Sequence, residues 1–198
     1  MPDLSYHNQR DILNTNQLRE MLPQMPSFCA EFFRGITPET TPLTRINYAR
    51  DLMIFFSFLC EYKACCKEIP AITTDDMAQI TMTDIETYLD YLTVYQHKDK
   101  LLQDNEAAKE RKLSSLRTLF RYLFKKQYIP SNVAALIDMP KRHDREIIRL
   151  EVDEVAKLLD LVDEGGSMTP KQAEYHQKTR LRDLALISLL LGTGIRVS

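Results

Sequence analysis

The 198-residue chain is 44% hydrophobic and 27% charged with a net charge of −2 at pH 7, ordinary values for a globular protein of one large or two small domains, which exclude a disordered or fibrous chain. No global basic excess points to nucleic acid, yet the charge is unevenly spread. Residues 105–149 carry eleven Lys and Arg against five Asp and Glu, an excess of six that leaves the rest of the chain at −8.

In chain order, residues 1–15 read as an N-terminal tail. A first helix is expected over 16–33, its early turns disturbed by Pro23 and Pro26. A second, over 43–66, is dense in apolar residues (Leu52, Phe55, Phe56, Phe58, Leu59, Tyr62) and should be largely buried. Thr83-Asp84-Ile85-Glu86 has the spacing of a capping box, and Ile85, Tyr88, Leu89 and Leu92 continue a third helix to about Tyr95. After a polar loop, 105–127 is the best-defined helix, with Leu113, Leu116, Phe120 and Leu123 inward. Its outward face carries Arg111, Ser114, Ser115, Thr118, Arg121, Tyr122 and Lys125.

Residues 128–132 end that unit, and 138–149 is a charged, proline-containing connector without sustained periodicity, where a domain boundary is placed. Beyond it, 152–162 reads as a helix with Val155, Leu158, Leu159 and Val162 inward, 163–175 as a loop, and 178–191 as the last helix. Gly192 suits a left-handed helix end, and Gly194 a tight turn before Arg196. Only Gly35 precedes Gly165 among the glycines, and the periodic stretches are too long for strands, so the covered chain reads as all-α.

Cys60, Cys65 and Cys66 share one helical stretch, where adjacent thiols do not easily bridge, and His7, His97, His143 and His176 are scattered. Reduced thiols in a cytoplasmic protein, with no metal and no cofactor, are the expectation. The opening Met1-Pro2-Asp3-Leu4-Ser5 lacks a basic segment followed by an apolar run, and the longest apolar run, 184–191, falls far short of the roughly 20 residues of a membrane span. No membrane partner is expected.

Two constellations could carry chemistry. The 105–127 helix mixes long cations with hydroxyls, which suits a helix laid in a DNA groove, although solvated helix faces are often basic as well. The second is the run 181–198, Leu-Arg-Asp-Leu-Ala-Leu-Ile-Ser-Leu-Leu-Leu-Gly-Thr-Gly-Ile-Arg-Val-Ser, whose Gly-Thr-Gly alone reads more readily as a helix cap followed by a surface arginine.

That run resembles the first arginine box of the tyrosine recombinases, the phage-integrase and Xer-like family. Thr44-Arg45-Ile46-Asn47-Tyr48 with Leu52 and Phe55 resembles the second helix of the family's core-binding domain. Arg111-Lys112-Leu113-Ser114-Ser115-Leu116-Arg117 with Phe120-Arg121-Tyr122-Leu123 resembles its fourth. The resemblance covers about 17–198 and implies a SAM-like core-binding domain of four to five helices at 16–138, a linker at 139–149, and the first helices of an α+β catalytic domain at 150–198.

In such enzymes a tyrosine attacks the scissile phosphate, forming a 3′-phosphotyrosyl link that a 5′-hydroxyl later reverses, without metal or cofactor. Arg196 matches the arginine that steadies charge at the phosphorane, a task a bidentate guanidinium performs better than an ammonium. Thr44, Arg45, Tyr48, Arg111, Lys112, Ser115, Thr118, Arg121 and Lys125 are the residues expected to touch double-stranded DNA. Glu151 stands where the family usually has a Thr or Ser cap.

The family's remaining catalytic residues, including the nucleophile, would fall beyond Ser198; Tyr175, ahead of the arginine box, does not substitute. The expectation is a chain that binds DNA without cleaving it, truncated from a recombinase whose protomers assemble on DNA. The alternative is a free-standing helical DNA-binding regulator or protein-interaction module, and reading the coding frame past codon 198 separates the two.

Overall fold

A computed structural model of the protein describes residues 5–63, 68–97, 100–139 and 149–195. The architecture is mainly α-helical with one small β-hairpin, in two compact units, Met1–His143 and Asp144–Ser198.

The first unit holds α1 (Tyr6–Met21), α2 (Phe28–Gly35), α3 (Pro42–Phe58), α4 (Thr74–Ala78), α5 (Met82–Tyr91), the antiparallel strands β1 (Tyr95–His97) and β2 (Lys100–Leu102), and α6 (Glu106–Lys125). Side-chain caps define where these helices start. Asn8 N–H donates to Ser5, Thr44 N–H to Thr41 ahead of Pro42, and Ala108 N–H to Asn105. α4 and α5 open with reciprocal capping boxes, Thr73 with Asp76 and Thr81 with Asp84.

α3 is the central element. Ile46, Ala49, Leu52, Phe55, Phe56 and Phe58 are all buried, against α1 on one side and α6 on another. Phe55 meets Tyr88 of α5 edge-on at 5.0 Å, and Phe58 packs on Tyr88 and Tyr91 at 5.3 and 5.2 Å. A single π-helical turn, Leu59–Lys63, ends α3 and points Lys63 at the α4–α5 junction. There its ammonium donates to Asp84 at 2.5 Å and to the Gln79 carbonyl at 2.9 Å. Burial pushes the Asp84 carboxyl up, but Lys63 and Thr81 outweigh it and hold the group below its ordinary value.

Several boundaries differ from the sequence reading. The tail expected over 1–15 is helical from Tyr6, and the single helix expected over 16–33 is two, broken at Pro23 and Pro26. The third helix starts from Thr81, not Thr83, because the aspartate at position 84 answers the hydroxyl three residues before it. That helix stops at Tyr91, and Tyr95 lies in β1 rather than in a helix.

The second unit is a pair of packed helices, α7 (Val152–Glu164) and α8 (Pro170–Thr193). Glu151 N–H donates to Glu154 at 2.9 Å and Thr169 N–H to Gln172 at 2.9 Å. With Pro170 in its first turn, α8 therefore begins well before residue 178, inside the expected loop. His176 lies 2.8 Å from the Val162 carbonyl, and Arg180 donates to Asp163 at 2.7 Å, holding that carboxyl low. At the far end Gly194, not Gly192, takes the left-handed conformation, at φ 64°.

Candidate nucleic-acid interface

α3 and α6 meet through a polar contact inside an otherwise apolar interface. The Asp51 carboxylate, with 2% of its side chain exposed, accepts from the Arg111 guanidinium and from the Ser115 hydroxyl at 2.8 Å. Burial raises the Asp51 carboxyl above its ordinary value, with Arg111 and Ser115 pulling it back. Arg111 itself is half exposed, so its guanidinium bridges the interior and the surface of α6.

Lys112 and Ser115, expected at the surface of α6, are both buried. The Lys112 ammonium pairs with Asp104, donates to the Tyr95 hydroxyl at 3.3 Å and lies 5.6 Å from that ring's centroid. Helical spacing explains their burial: 112, 116, 119 and 123 recur at intervals of three and four, with 115 beside them, and form one face, wider than the four apolar residues suggested.

The next turns of α6 face outward. Thr118 is half-buried and donates to the Ser114 carbonyl at 2.9 Å. Arg121 and Lys125 are exposed, and neither is paired with a carboxylate among the described residues. Together with Gly35, Ile36, Glu39, Tyr122 and Lys126 these three line a cleft of about 740 Å³. On the other flank, Thr118 and Arg121 join Arg117, Asn132 and Ala135 around a smaller one of about 220 Å³.

The N-terminal turns of α3 connect to the larger cleft through the 37–40 segment. Thr44 Oγ1 lies 2.9 Å from Thr41 Oγ1, and Arg45 donates to the Thr40 carbonyl at 2.7 Å and the Thr37 carbonyl at 3.3 Å. Arg45 thus holds the 37–40 segment, whose Glu39 lines the larger cleft. Tyr48 packs against the core with part of its surface outside.

Several residues that shape this face carry no motif. Asp51 is visible in the sequence as the one carboxylate in the apolar run of α3, but nothing there names its partner 60 residues away. Arg117 donates to the carbonyls of Ala134 (3.1 Å) and Ile137, tying down the segment after α6. Tyr128 and Lys126 hold the Glu31 carboxyl below its ordinary value beside the Tyr122 ring. Arg196 lies outside the described residues, as do Cys65 and Cys66. No metal-binding cluster of His, Cys, Asp or Glu occurs among the described residues, and no helix there is long and apolar enough to cross a membrane.

No protein-family model and no solved structure matches the chain. Named relatives do. It is 29% identical over 150 residues to the tyrosine recombinase XerC of Leptospira interrogans, covering 76% of this chain and 40% of the relative. To XerC of Caldanaerobacter subterraneus it is 29% identical over 167 residues, covering 80% and 42%. To the tyrosine recombinase XerS of Streptococcus mutans it is 23% identical over 212 residues, covering 96% and 59%. Over most of its length the chain is similar to tyrosine recombinases. The chain spans about two fifths of the length of the XerC relatives it matches.

Proposed function

We propose that the first unit is the DNA-binding, core-binding domain of a site-specific tyrosine recombinase, and that 150–198 is the N-terminal part of its catalytic domain, with Arg196 as the phosphate-stabilising arginine. The observation that carries the DNA-binding reading is the outer face of α6, where Thr118, Arg121 and Lys125 line one cleft with Glu39, in the segment that Arg45 of α3 holds; Thr44 and Tyr48 lie on the same turns of α3 as Arg45. Cations without carboxylate partners suit phosphate oxygens, and short hydroxyls give directional contacts at the same surface.

Double-stranded DNA is the substrate class this face fits. Two further features support the reading: the basic excess of 105–149, and relatives named for recombination. In the full enzyme other protomers would assemble on the same DNA, and the reaction assigned to the whole protein is strand breakage and rejoining through a 3′-phosphotyrosyl intermediate.

The test is fluorescence anisotropy on a labelled duplex over a salt series. Arg121→Ala combined with Lys125→Ala should weaken binding and lower the slope of log affinity against log salt by about 1.8, roughly 0.9 for each phosphate no longer neutralised. Unchanged affinity and slope would place the DNA elsewhere on the molecule.

A further inference from the structure

Arg111 differs in kind from Arg121 and Lys125. Its guanidinium is paired with a carboxylate anchored in the buried part of α3, and that carboxylate is fixed in turn by Ser115, one turn along α6. Two consequences follow from elementary chemistry. The pair is close to neutral when seen from a phosphate a Debye length away, so Arg111 adds little to counterion release. A guanidinium also has five N–H donors in a rigid plane, so the contact with Asp51 leaves others free on the half-exposed side, already aimed. A donor whose rotamer is already held loses less conformational freedom on binding than a swinging arginine does.

Resting on the DNA-binding reading above, we propose that Asp51 is a positioning residue which aims Arg111 as a directional donor at a base-edge acceptor of duplex DNA, rather than leaving it as a phosphate-neutralising charge. The acceptor chemistry that fits a fixed planar fork is the paired O6 and N7 edge of guanine in the major groove. Arg111 is then a specificity-determining contact, and Arg121 and Lys125 supply the general attraction. The carboxylate is on the buried side of the pair, against Ser115 on α6, and the guanidinium is on the half-exposed side.

The experiment uses the full chain and two duplex probes, one selected by the wild-type chain from a random pool and one of random sequence, in the same salt series. Arg111→Ala should weaken binding to the selected duplex about tenfold, leave the random duplex nearly unaffected and leave the salt slope unchanged. Arg111→Lys should behave the same way, since charge without the fork does not satisfy the acceptor. Asp51→Asn keeps an acceptor for Ser115 but frees a cation. It should weaken the selected complex about tenfold at about 0.2 M salt and steepen the slope by about 0.9. The double variant should be no weaker than Arg111→Ala alone.

Equal losses from Asp51→Asn in the wild-type and Arg111→Ala backgrounds would overturn the proposal in favour of a structural role. A slope reduced by about 0.9 in Arg111→Ala would make Arg111 an ordinary phosphate contact and overturn it as well. Circular dichroism checks that Asp51→Asn folds; if it does not, Arg111→Lys decides, with retained affinity overturning the proposal and weakened affinity supporting it. If Arg121→Ala with Lys125→Ala weakens binding while the Arg111 and Asp51 variants do not, only the positioning inference fails. If no variant and no duplex shows binding, the DNA-binding reading fails and this inference with it.

Discussion

Lys112 sits in the most basic stretch of the chain and yet has almost no contact with solvent. A buried ammonium is tolerable because Asp104 neutralises it and Tyr95 supplies both a hydroxyl and the face of a ring. The group is therefore an interior ion pair of the fold. Lys112→Met keeps the aliphatic stem and strands the Asp104 carboxylate. It should lower stability by about 3 kcal/mol, measured by urea denaturation. Affinity of the folded protein for duplex should stay within about twofold of wild type, and a drop as large as that from removing a phosphate-binding cation would return Lys112 to the interface. Neighbouring Arg111 shows the opposite case, a charge legible as a surface residue whose role depends on an inward partner.

At the scale of elements, the packing of α2 on α6 explains the isolated glycine at 35. A Cβ there would come within 2.4 Å of Tyr122 Cε2 and 3.1 Å of Cζ and the hydroxyl oxygen. The Tyr122 ring is not free to yield, since Phe32 meets it edge-on at 5.5 Å and its hydroxyl donates to Glu31 at 3.2 Å. Gly35→Ala should cost about 1–3 kcal/mol through overpacking, read as a fall in Tm of roughly 5 °C, and a stability equal to wild type would mean that the ring relaxes without cost.

The same scale shows what is legible in the sequence. Asn105 and the inward stripe of α6 can be read there within a residue or two, because capping and periodicity are local. The two Thr-x-x-Asp boxes that open α4 and α5 are harder, since Thr83-x-x-Glu86 offers a competing box close by. In the structure Thr83 is already inside α5, where its carbonyl accepts from Thr87 at 2.7 Å. The early start of α8 is signalled by Thr169-Pro170 and Gln172, which a stretch containing Gly165-Gly166 obscures.

For the molecule as a whole, the two units differ in how much they bury. The first has a continuous core from Leu18 to Ile137, whereas no described residue of the second is fully buried, and Leu161, Leu181, Leu186 and Leu189 are exposed. Hydrogen exchange on the full chain should therefore find the central amides of α3 and α6 protected about a hundredfold or more beyond those of α7 and α8. Equal protection in α8 and α6 would show that the hairpin is stabilised by more than the packing of its own two helices.

By itself the sequence determined the helical class and most of the helix cores, because caps, turn residues and apolar spacing act over four or five neighbours, while the likeness to tyrosine recombinases rests on the residues of its motif segments. Only the tertiary structure decided which members of the basic helix are exposed and which are interior. Whether a lysine is an ion-paired core group or a phosphate contact depends on a carboxylate brought to it by chain folding. For Arg111 that partner lies 60 residues away on another helix, beyond the reach of any local pattern.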